Sequence, residues 1–371
     1  YFQKSAALGN SDAEYGLGRL YLNEDFEQHD VQKAVEHLTK AAEAGHDTAQ
    51  YTLGKLYLEG KAVAKDIPRG LQYLEQALEK NNQFAQYLLG KTLLKGEDVE
   101  ADPVRGEQLL RASIAQGNSQ AMYVLGKAYL EGQTLARDIP QALELLAKAA
   151  EAGNEFAAYT MGKTFLDGKE VGKDVPRAIA YLEQAVKEEN QYAQYLLGKT
   201  LLKGEDVAAN PVRGEQLLTV SAVQGNLYAA YTLGKAYLEG KVLAQNIPRC
   251  LELLGFAAGQ NLAAAQYTLG KLYAEGTVVP KNILAALDLL TKAAVQGNPF
   301  AQYRLGKLYL TGEDIPKDIH AALYWLTKAA EQGNPYAGYQ LGRLYLYGIE
   351  VDRNAEKAIA LLTASAAQGN P

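Results

Sequence analysis

The sequence predicts an all-α array of ten 36-residue helix-turn-helix units, and three observations carry that prediction. First, a glycine preceded by Leu or Met and followed by Lys or Arg recurs at Gly18, Gly54, Gly90, Gly126, Gly162, Gly198, Gly234, Gly270, Gly306 and Gly342, always 36 residues apart. Second, the composition is lopsided, with 25 Tyr against 7 Phe and 1 Trp, 35 Gly, 1 Cys and 2 Met, the bias left by one unit copied many times. Third, the apolar residues inside a unit fall three and four apart, the period of a helical face. With 48% hydrophobic and 22% charged residues, the chain has enough apolar side chains for a sizeable core and is unlike a disordered polymer.

The frame of ten units is 11–46, 47–82, 83–118, 119–154, 155–190, 191–226, 227–262, 263–298, 299–334 and 335–370. Residues 1–10 read as the end of a preceding repeat, since Tyr1 to Ala7 match Trp325 to Ala330 in style and spacing. Solenoids need polar caps at their ends, and none precedes Tyr1 or follows Gly369-Asn370-Pro371, so a piece of a longer protein is expected. A second period overlies the first: Gln86 to Val99 recurs verbatim at Gln194 to Val207, and Val104 to Leu110 at Val212 to Leu218. Residues 49–156 and 157–264 thus read as a duplicated block, and a ligand contact in the first is expected again in the second.

Each unit divides into two helices. In the second unit the first helix is expected from Thr48 to Leu58, with Ala49, Tyr51, Leu53, Gly54, Tyr57 and Leu58 on one face and Gly60 as its stop. Asp66 then caps the second helix, and Pro68 sits in its first turn, where a missing amide hydrogen costs little. That helix turns Leu71, Leu74, Ala77 and Leu78 inward and runs to about Glu79. Most units close on Gly-Asn, as at Gly117-Asn118, Gly153-Asn154 and Gly297-Asn298, which supplies a left-handed residue. Asn81 and Asn261 suit the same conformation, but Glu189 suits it poorly, so a different exit is expected there.

The string Ala-x-Tyr-x-Leu-Gly-Lys-x-Tyr-Leu-x-Gly, followed by a capped helix ending Lys148-Ala149-Ala150-Glu151-Ala152-Gly153, resembles the Sel-one-like repeat, a relative of the tetratricopeptide repeat. The likeness covers essentially the whole chain. It implies a right-handed superhelical α-solenoid of antiparallel helix pairs whose first helices line a concave groove. It also implies a scaffold or adaptor that holds other proteins together and is generally not an enzyme. The Leu-Gly-Lys and Gln-Gly-Asn signatures are further similar to arrays appended to relaxases of Gram-positive mobile elements. That likeness implies an alternative, a nucleic-acid-associated accessory region of a conjugative relaxase or mobilisation protein.

Several ladders run through the units. The alanines (Ala13, Ala49, Ala85 and onward) and the glycines are small where helices must approach closely, and both read as structural. Tyr stands three residues before each glycine and a basic residue directly after it, four apart and so on one face. By the tetratricopeptide analogy this face looks into the groove, and an aromatic one turn earlier, as at Phe84, Phe156, Tyr192, Tyr228, Phe300 and Tyr336, extends it. A second tyrosine set, at Tyr21, Tyr57, Tyr129, Tyr237, Tyr273, Tyr309 and Tyr345, is expected in the core.

Two readings compete for the stripe. In one, aromatic surface and positive charge receive an acidic or carboxylate-bearing peptide. In the other, tyrosines pack between units and each lysine pairs with an acid four residues on, as Lys55 with Glu59 and Lys127 with Glu131. Successive first helices lie roughly 10 Å apart, comparable with the Debye length near 0.1 M salt, so aligned lysines repel unless neutralised. In the third and sixth units Lys95 and Lys203 replace the acid, which leaves Lys91 and Lys199 without it and makes these the preferred contacts. The candidate partner-binding residues are Tyr87, Lys91, Lys95, Tyr123, Lys127, Tyr159, Lys163, Tyr195, Lys199, Lys203, Tyr231 and Lys235.

Other functions find little footing in the sequence. A net charge of -6, with Glu97-Asp98, Glu205-Asp206 and Glu313-Asp314 in the loops, weighs against nucleic acid as the ligand. No stretch reaches the ~18–20 apolar residues of a membrane span. The one cysteine, Cys250, excludes an intramolecular disulfide and a multi-cysteine metal site; it stands where other units carry Gly70, Ala142 or Ala178 and reads as a buried spare thiol. His29, His37, His46 and His320 occupy unrelated repeat positions without metal-ligand spacing. Gly16-Leu17-Gly18 lies inside a helix with Tyr21 where a dinucleotide motif needs its third glycine. No catalytic residue, metal or cofactor is expected; the setting is expected to be cytoplasmic, with secretion or a periplasmic address compatible too, and self-association through uncapped ends is a further expectation.

Overall fold

The structure is a computed structural model that describes residues 5–6 and 9–368. The expectation that residues 1–10 close a preceding repeat falls largely on residues 1–4 and 7–8, and the closing Gly369-Asn370 turn on residues 369–371, all outside the described residues. Two compact units divide the chain, Tyr1–Asn190 and Gln191–Pro371. The first holds α1 (Ser11–Leu22), α2 (Val31–Glu43), α3 (Asp47–Glu59), α4 (Ile67–Glu79), α5 (Gln83–Lys95), α6 (Pro103–Ala115), α7 (Ser119–Glu131), α8 (Ile139–Glu151), α9 (Glu155–Asp167) and α10 (Val175–Lys187). The second holds α11 (Gln191–Lys203), α12 (Pro211–Val223), α13 (Leu227–Glu239), α14 (Ile247–Gly259), α15 (Ala263–Glu275), α16 (Ile283–Val295), α17 (Pro299–Thr311), α18 (Ile319–Glu331), α19 (Pro335–Tyr347) and α20 (Ala355–Ala367). Odd-numbered helices are the first of each pair and even-numbered the second; no strand occurs among the described residues.

Local chemistry sets these boundaries. Asn82 caps α5 by accepting from the Phe84 and Ala85 amides, and Asp66 caps α4 by accepting from the Arg69 amide. Gly60 and its equivalents end the first helices from α3 onward in the left-handed region, with φ 65° at Gly60, whereas α1 ends on an extended Asn23. The loop then folds back so that the Asp66 amide donates to the Tyr57 carbonyl at 3.0 Å, which fixes where α4 can begin.

The turn after α10 differs from expectation. Glu189 takes φ 58°, the same left-handed exit as Asn81 at 58° and Asn261 at 68°. The turn is over-determined: Glu189 donates to Val186 at 3.0 Å and Asn190 to Ala185 at 3.0 Å, matching the bonds of Asn81 to Leu78 and Asn82 to Ala77. The glutamate therefore accepts the strain, on the order of 1–2 kcal/mol, instead of rerouting the chain.

Each helix pair closes on its glycine. A Cβ at Gly54 would stand 2.8 Å from the Leu74 side chain and 3.0 Å from the Gly70 carbonyl oxygen. Facing glycines meet there and again in the third and sixth pairs, where a Cβ on Gly90 would lie 2.9 Å from the Gly106 oxygen and one on Gly198 3.0 Å from the Gly214 oxygen. Leucines fill the layers around them, and Leu38, Leu53, Leu74, Leu182, Leu233 and Leu254 are fully buried. The alanine ladder is buried as well, with Ala49, Ala121, Ala229 and Ala301 at 0% exposure.

Within the pairs the packing includes a polar link that the apolar periodicity does not reveal. Gln86, Gln266 and Gln302 are buried on first helices, and their side-chain oxygens accept from Gln116 at 2.9 Å, Gln296 at 2.7 Å and Gln332 at 2.7 Å, each at the end of the second helix of the same pair. Gln50 keeps half of this arrangement: its amide donates to Ala42 at 3.1 Å, while its oxygen is buried without a hydrogen bond. The residue at the donor's position is Lys80.

Two stability changes are expected. Lys80→Gln places an amide where Gln116, Gln296 and Gln332 reach their partners, and the expected result is a rise in unfolding free energy of about 1 kcal/mol, although Gln224 at the same position leaves the Gln194 oxygen without a hydrogen bond. Glu189→Gly relieves the left-handed strain by about 1 kcal/mol. Urea denaturation of both single variants checks these signs, and a drop in stability for either contradicts its assignment.

Candidate functional site

The first helices are the closer-packed layer within each unit, since α3 touches α5, α5 touches α7 and α11 touches α13, while no second-helix pair among the described residues makes comparable contact. The tyrosine stripe lies along this layer. Tyr51 meets Phe84 with ring centroids 5.7 Å apart, Tyr123 meets Phe156 at 6.1 Å, Tyr195 meets Tyr228 at 6.3 Å and Tyr303 meets Tyr336 at 5.7 Å. Each pair joins a first helix to the next, so these tyrosines do pack between repeats. Burial pushes the Tyr51 and Tyr87 hydroxyls above the ordinary phenol value, and they stay neutral at physiological pH.

The basic residues are also engaged. Lys55 pairs with Glu59 at 3.8 Å, Lys127 with Glu131 at 3.6 Å, Lys235 with Glu239 at 3.7 Å and Lys271 with Glu275 at 4.0 Å, exposed pairs worth about 0.3–0.5 kcal/mol each. Lys91 and Lys199 lack that acid and lie over the rings of Tyr87 at 5.8 Å and Tyr195 at 5.6 Å. Lys95 and Lys203 find acids in the following loops, Glu97 at 3.4 Å and Glu205 at 3.5 Å.

Clefts open between neighbouring first helices, and two of them hold candidate residues. The cleft between α7 and α9, of about 380 Å³, brings together Tyr123, Lys127, Tyr159 and Lys163. That between α11 and α13, of about 370 Å³, brings together Tyr195, Lys199, Lys203, Tyr231 and Lys235. Tyr87, Lys91 and Lys95 on α5 line neither of these two clefts.

The second tyrosine set is less interior than expected. Tyr21, Tyr57 and Tyr129 are buried, but Tyr237, Tyr273, Tyr309 and Tyr345 are half-buried, and several hydroxyls of the set make hydrogen bonds. Tyr129 donates to Glu107 at 2.6 Å, Lys357 donates to Tyr345 at 2.8 Å, and Tyr237 donates to Glu215. Burial, then the hydrogen bond to Glu215, pushes the Tyr237 hydroxyl up to about 12.

Sequence reasoning also missed a ladder of loop ion pairs one repeat apart, Lys65 to Asp98 at 2.6 Å, Arg137 to Glu170, Lys281 to Asp314, and Lys317 to Glu350 at 2.5 Å. Their signal was present as opposite charges recurring 33 residues apart.

No group of His, Cys, Asp or Glu among the described residues could hold a metal ion. His46 is occupied as the cap of α3, accepting from Ala49 at 3.2 Å, and His37 bonds Glu14 at 2.5 Å. Cys250 is buried opposite Gly234, and burial pushes its thiol from 9.0 to about 11. No described helix is long and apolar enough to cross a membrane.

The profile described as Sel1 repeat matches residues 11–46, 47–82, 83–118, 119–154, 156–190, 191–226, 227–262, 263–298, 299–334 and 335–370. A solved Sel1 repeat protein from Oxalobacter formigenes is 30% identical over 83% of this chain and 89% of its own, with a TM-score of 0.64. The protective antigen c5321 of uropathogenic Escherichia coli, which displays an SLR fold, is 27% identical over 99% of this chain and 86% of its own, with a TM-score of 0.55. No curated protein matches.

The thiol gives a pH prediction. Unfolded Cys250 loses its proton near 9.0 and folded Cys250 near 11, so between those values the unfolded state binds fewer protons and stability falls as pH rises. The expected result is no reaction of native protein with a thiol reagent at neutral pH, full reaction in denaturant, and a weaker alkaline loss of stability in Cys250→Ala. Rapid native labelling contradicts the burial argument.

Proposed function

The chain belongs to the Sel1 repeat family, and from that premise we propose that it is a scaffold gripping a protein partner along its first-helix face, by an acidic segment of that partner. Proteins built of Sel1 and tetratricopeptide-like repeats are generally protein-interaction scaffolds, and the fold is typically non-enzymatic. The observation that carries the finer reading is the residual charge of the face. Among the described residues Lys91 and Lys199 meet tyrosine rings and no carboxylate, so an incoming acid gains a full charge pair without displacing one already formed. The half-buried tyrosines beside them offer rigid apolar area at low entropic cost.

The repetition itself supports binding over catalysis. Chemistry needs a unique constellation, whereas the Tyr and Lys positions recur from repeat to repeat, as a surface reading an extended partner requires. The overall negative charge favours a protein ligand over a phosphate backbone, whose capture would rest on a dominant cationic field.

The test is affinity capture from native extract, with and without nuclease, comparing this array with the variant Lys91→Glu, Lys95→Glu, Lys199→Glu and Lys203→Glu. We expect partners that survive nuclease and whose affinity falls at least about tenfold for the variant, with helical content unchanged. Equal capture by a folded variant refutes the face, and capture abolished by nuclease replaces the protein partner with nucleic acid.

A further inference from the structure

We propose, resting on the scaffold reading, that the cleft between α11 and α13 is the array's anchoring site for a partner peptide and takes one bulky apolar side chain flanked by carboxylates. Its volume of about 370 Å³ is within the range of ligand pockets. Tyr195, Tyr228, Tyr231, Leu202 and Val242 supply an aromatic and aliphatic wall. Tyr228 is 59% exposed and Val242 47%, so apolar surface is presented at the mouth where a soluble chain ordinarily covers it.

Charge selects what flanks the apolar anchor. Four lysines, Lys199, Lys203, Lys235 and Lys241, line the cleft against one acid, Glu239. Glu239 is engaged by Lys235 at 3.7 Å, and Lys203 holds Glu205 at 3.5 Å. No described carboxylate forms an ion pair with Lys199 or Lys241, leaving two cations beside an apolar wall. An acidic peptide with a buried aromatic or aliphatic residue satisfies both features at once.

The loop ladder explains why this cleft is open. In several other repeats the residue ahead of a second helix reaches the next loop by an ion pair, as Lys65 does to Asp98 and Arg137 to Glu170. At the same two positions the sixth and seventh repeats carry Ala209 and Val242. Both charges are gone, so no such ion pair ties the mouth, and its lip is apolar. The α7/α9 cleft has Arg137 and Glu170 in its lining and sets Glu131 and Asp167 among its lysines, so it has neither feature.

Fluorescence anisotropy of a labelled short peptide, one phenylalanine between pairs of glutamates, tests the assignment on the full chain. We expect saturable binding, weakened at least about tenfold by Val242→Glu, by Tyr228→Ala, and by alanine in place of the peptide's phenylalanine, with Tyr324→Ala on the exposed side of α18 neutral. Val242→Glu restores an acid of the kind already carried at Asp98, Glu170, Asp314 and Glu350, and thermal melts by circular dichroism verify folding. No binding, equal binding by Val242→Glu, or displacement by a short oligothymidylate that binds more tightly overturns the proposal. An inert peptide alongside a charge-reversed array that still loses its nuclease-resistant partners would sink the cleft and leave the scaffold reading; unchanged capture would sink both.

Discussion

Everything in this molecule depends on how closely the two helices of a pair approach. At Gly54 the backbone of one helix rests on the Leu74 side chain and the Gly70 carbonyl of the other, and a single methyl group would be forced inside van der Waals distance. A mid-helix glycine costs about 1 kcal/mol against alanine, and the array carries one in each unit because close packing returns more than that. Once the crossing is fixed, the loop length, the cap at Asp66 and the left-handed stop at Gly60 have little freedom, which accounts for a spacing without insertion. The surface is then a regular lattice whose chemistry varies one side chain at a time.

That division explains what could be read in advance. Helix pairs, caps and packing glycines are legible because each is a local requirement repeated at one period, and the Sel1 match and the solved relatives agree with that architecture. Glu189 was misjudged because propensity is a weak constraint against a turn held by hydrogen bonds on both sides. The glutamine link was invisible to apolar periodicity, since Gln86 and Gln266 occupy buried positions for their hydrogen bonds to the end of the second helix in their own repeat. The second tyrosine set shows the reverse error: spacing gives the direction of Tyr237 but neither its half-buried position nor the bond of its hydroxyl to Glu215.

The candidate face was partly legible. Sequence spacing identified tyrosines and lysines that share a helix face, and five of them, Tyr195, Lys199, Lys203, Tyr231 and Lys235, line one cleft. It could not show that Lys95 and Lys203 would borrow acids from their loops, nor that the verbatim copies within α5 and α11 would meet different neighbours. In the repeat after α5 stand Gln120 and Thr134, at the positions that Tyr228 and Val242 hold after α11. Duplication reproduced a helix without reproducing its surroundings, so equivalent residues need not share a role.

The reach of the long-range hydrogen bonds has a consequence for biosynthesis. The Gln116 bond to Gln86 and the Asn82 bond to Asp47 span 30 and 35 residues inside one repeat, and the Lys65 bond to Asp98 spans 33 into the next. None waits for more than about one repeat length of chain to leave the ribosome. A nascent chain of this design settles vectorially, repeat upon repeat, and at any moment leaves only its newest apolar face uncovered for a chaperone to shield.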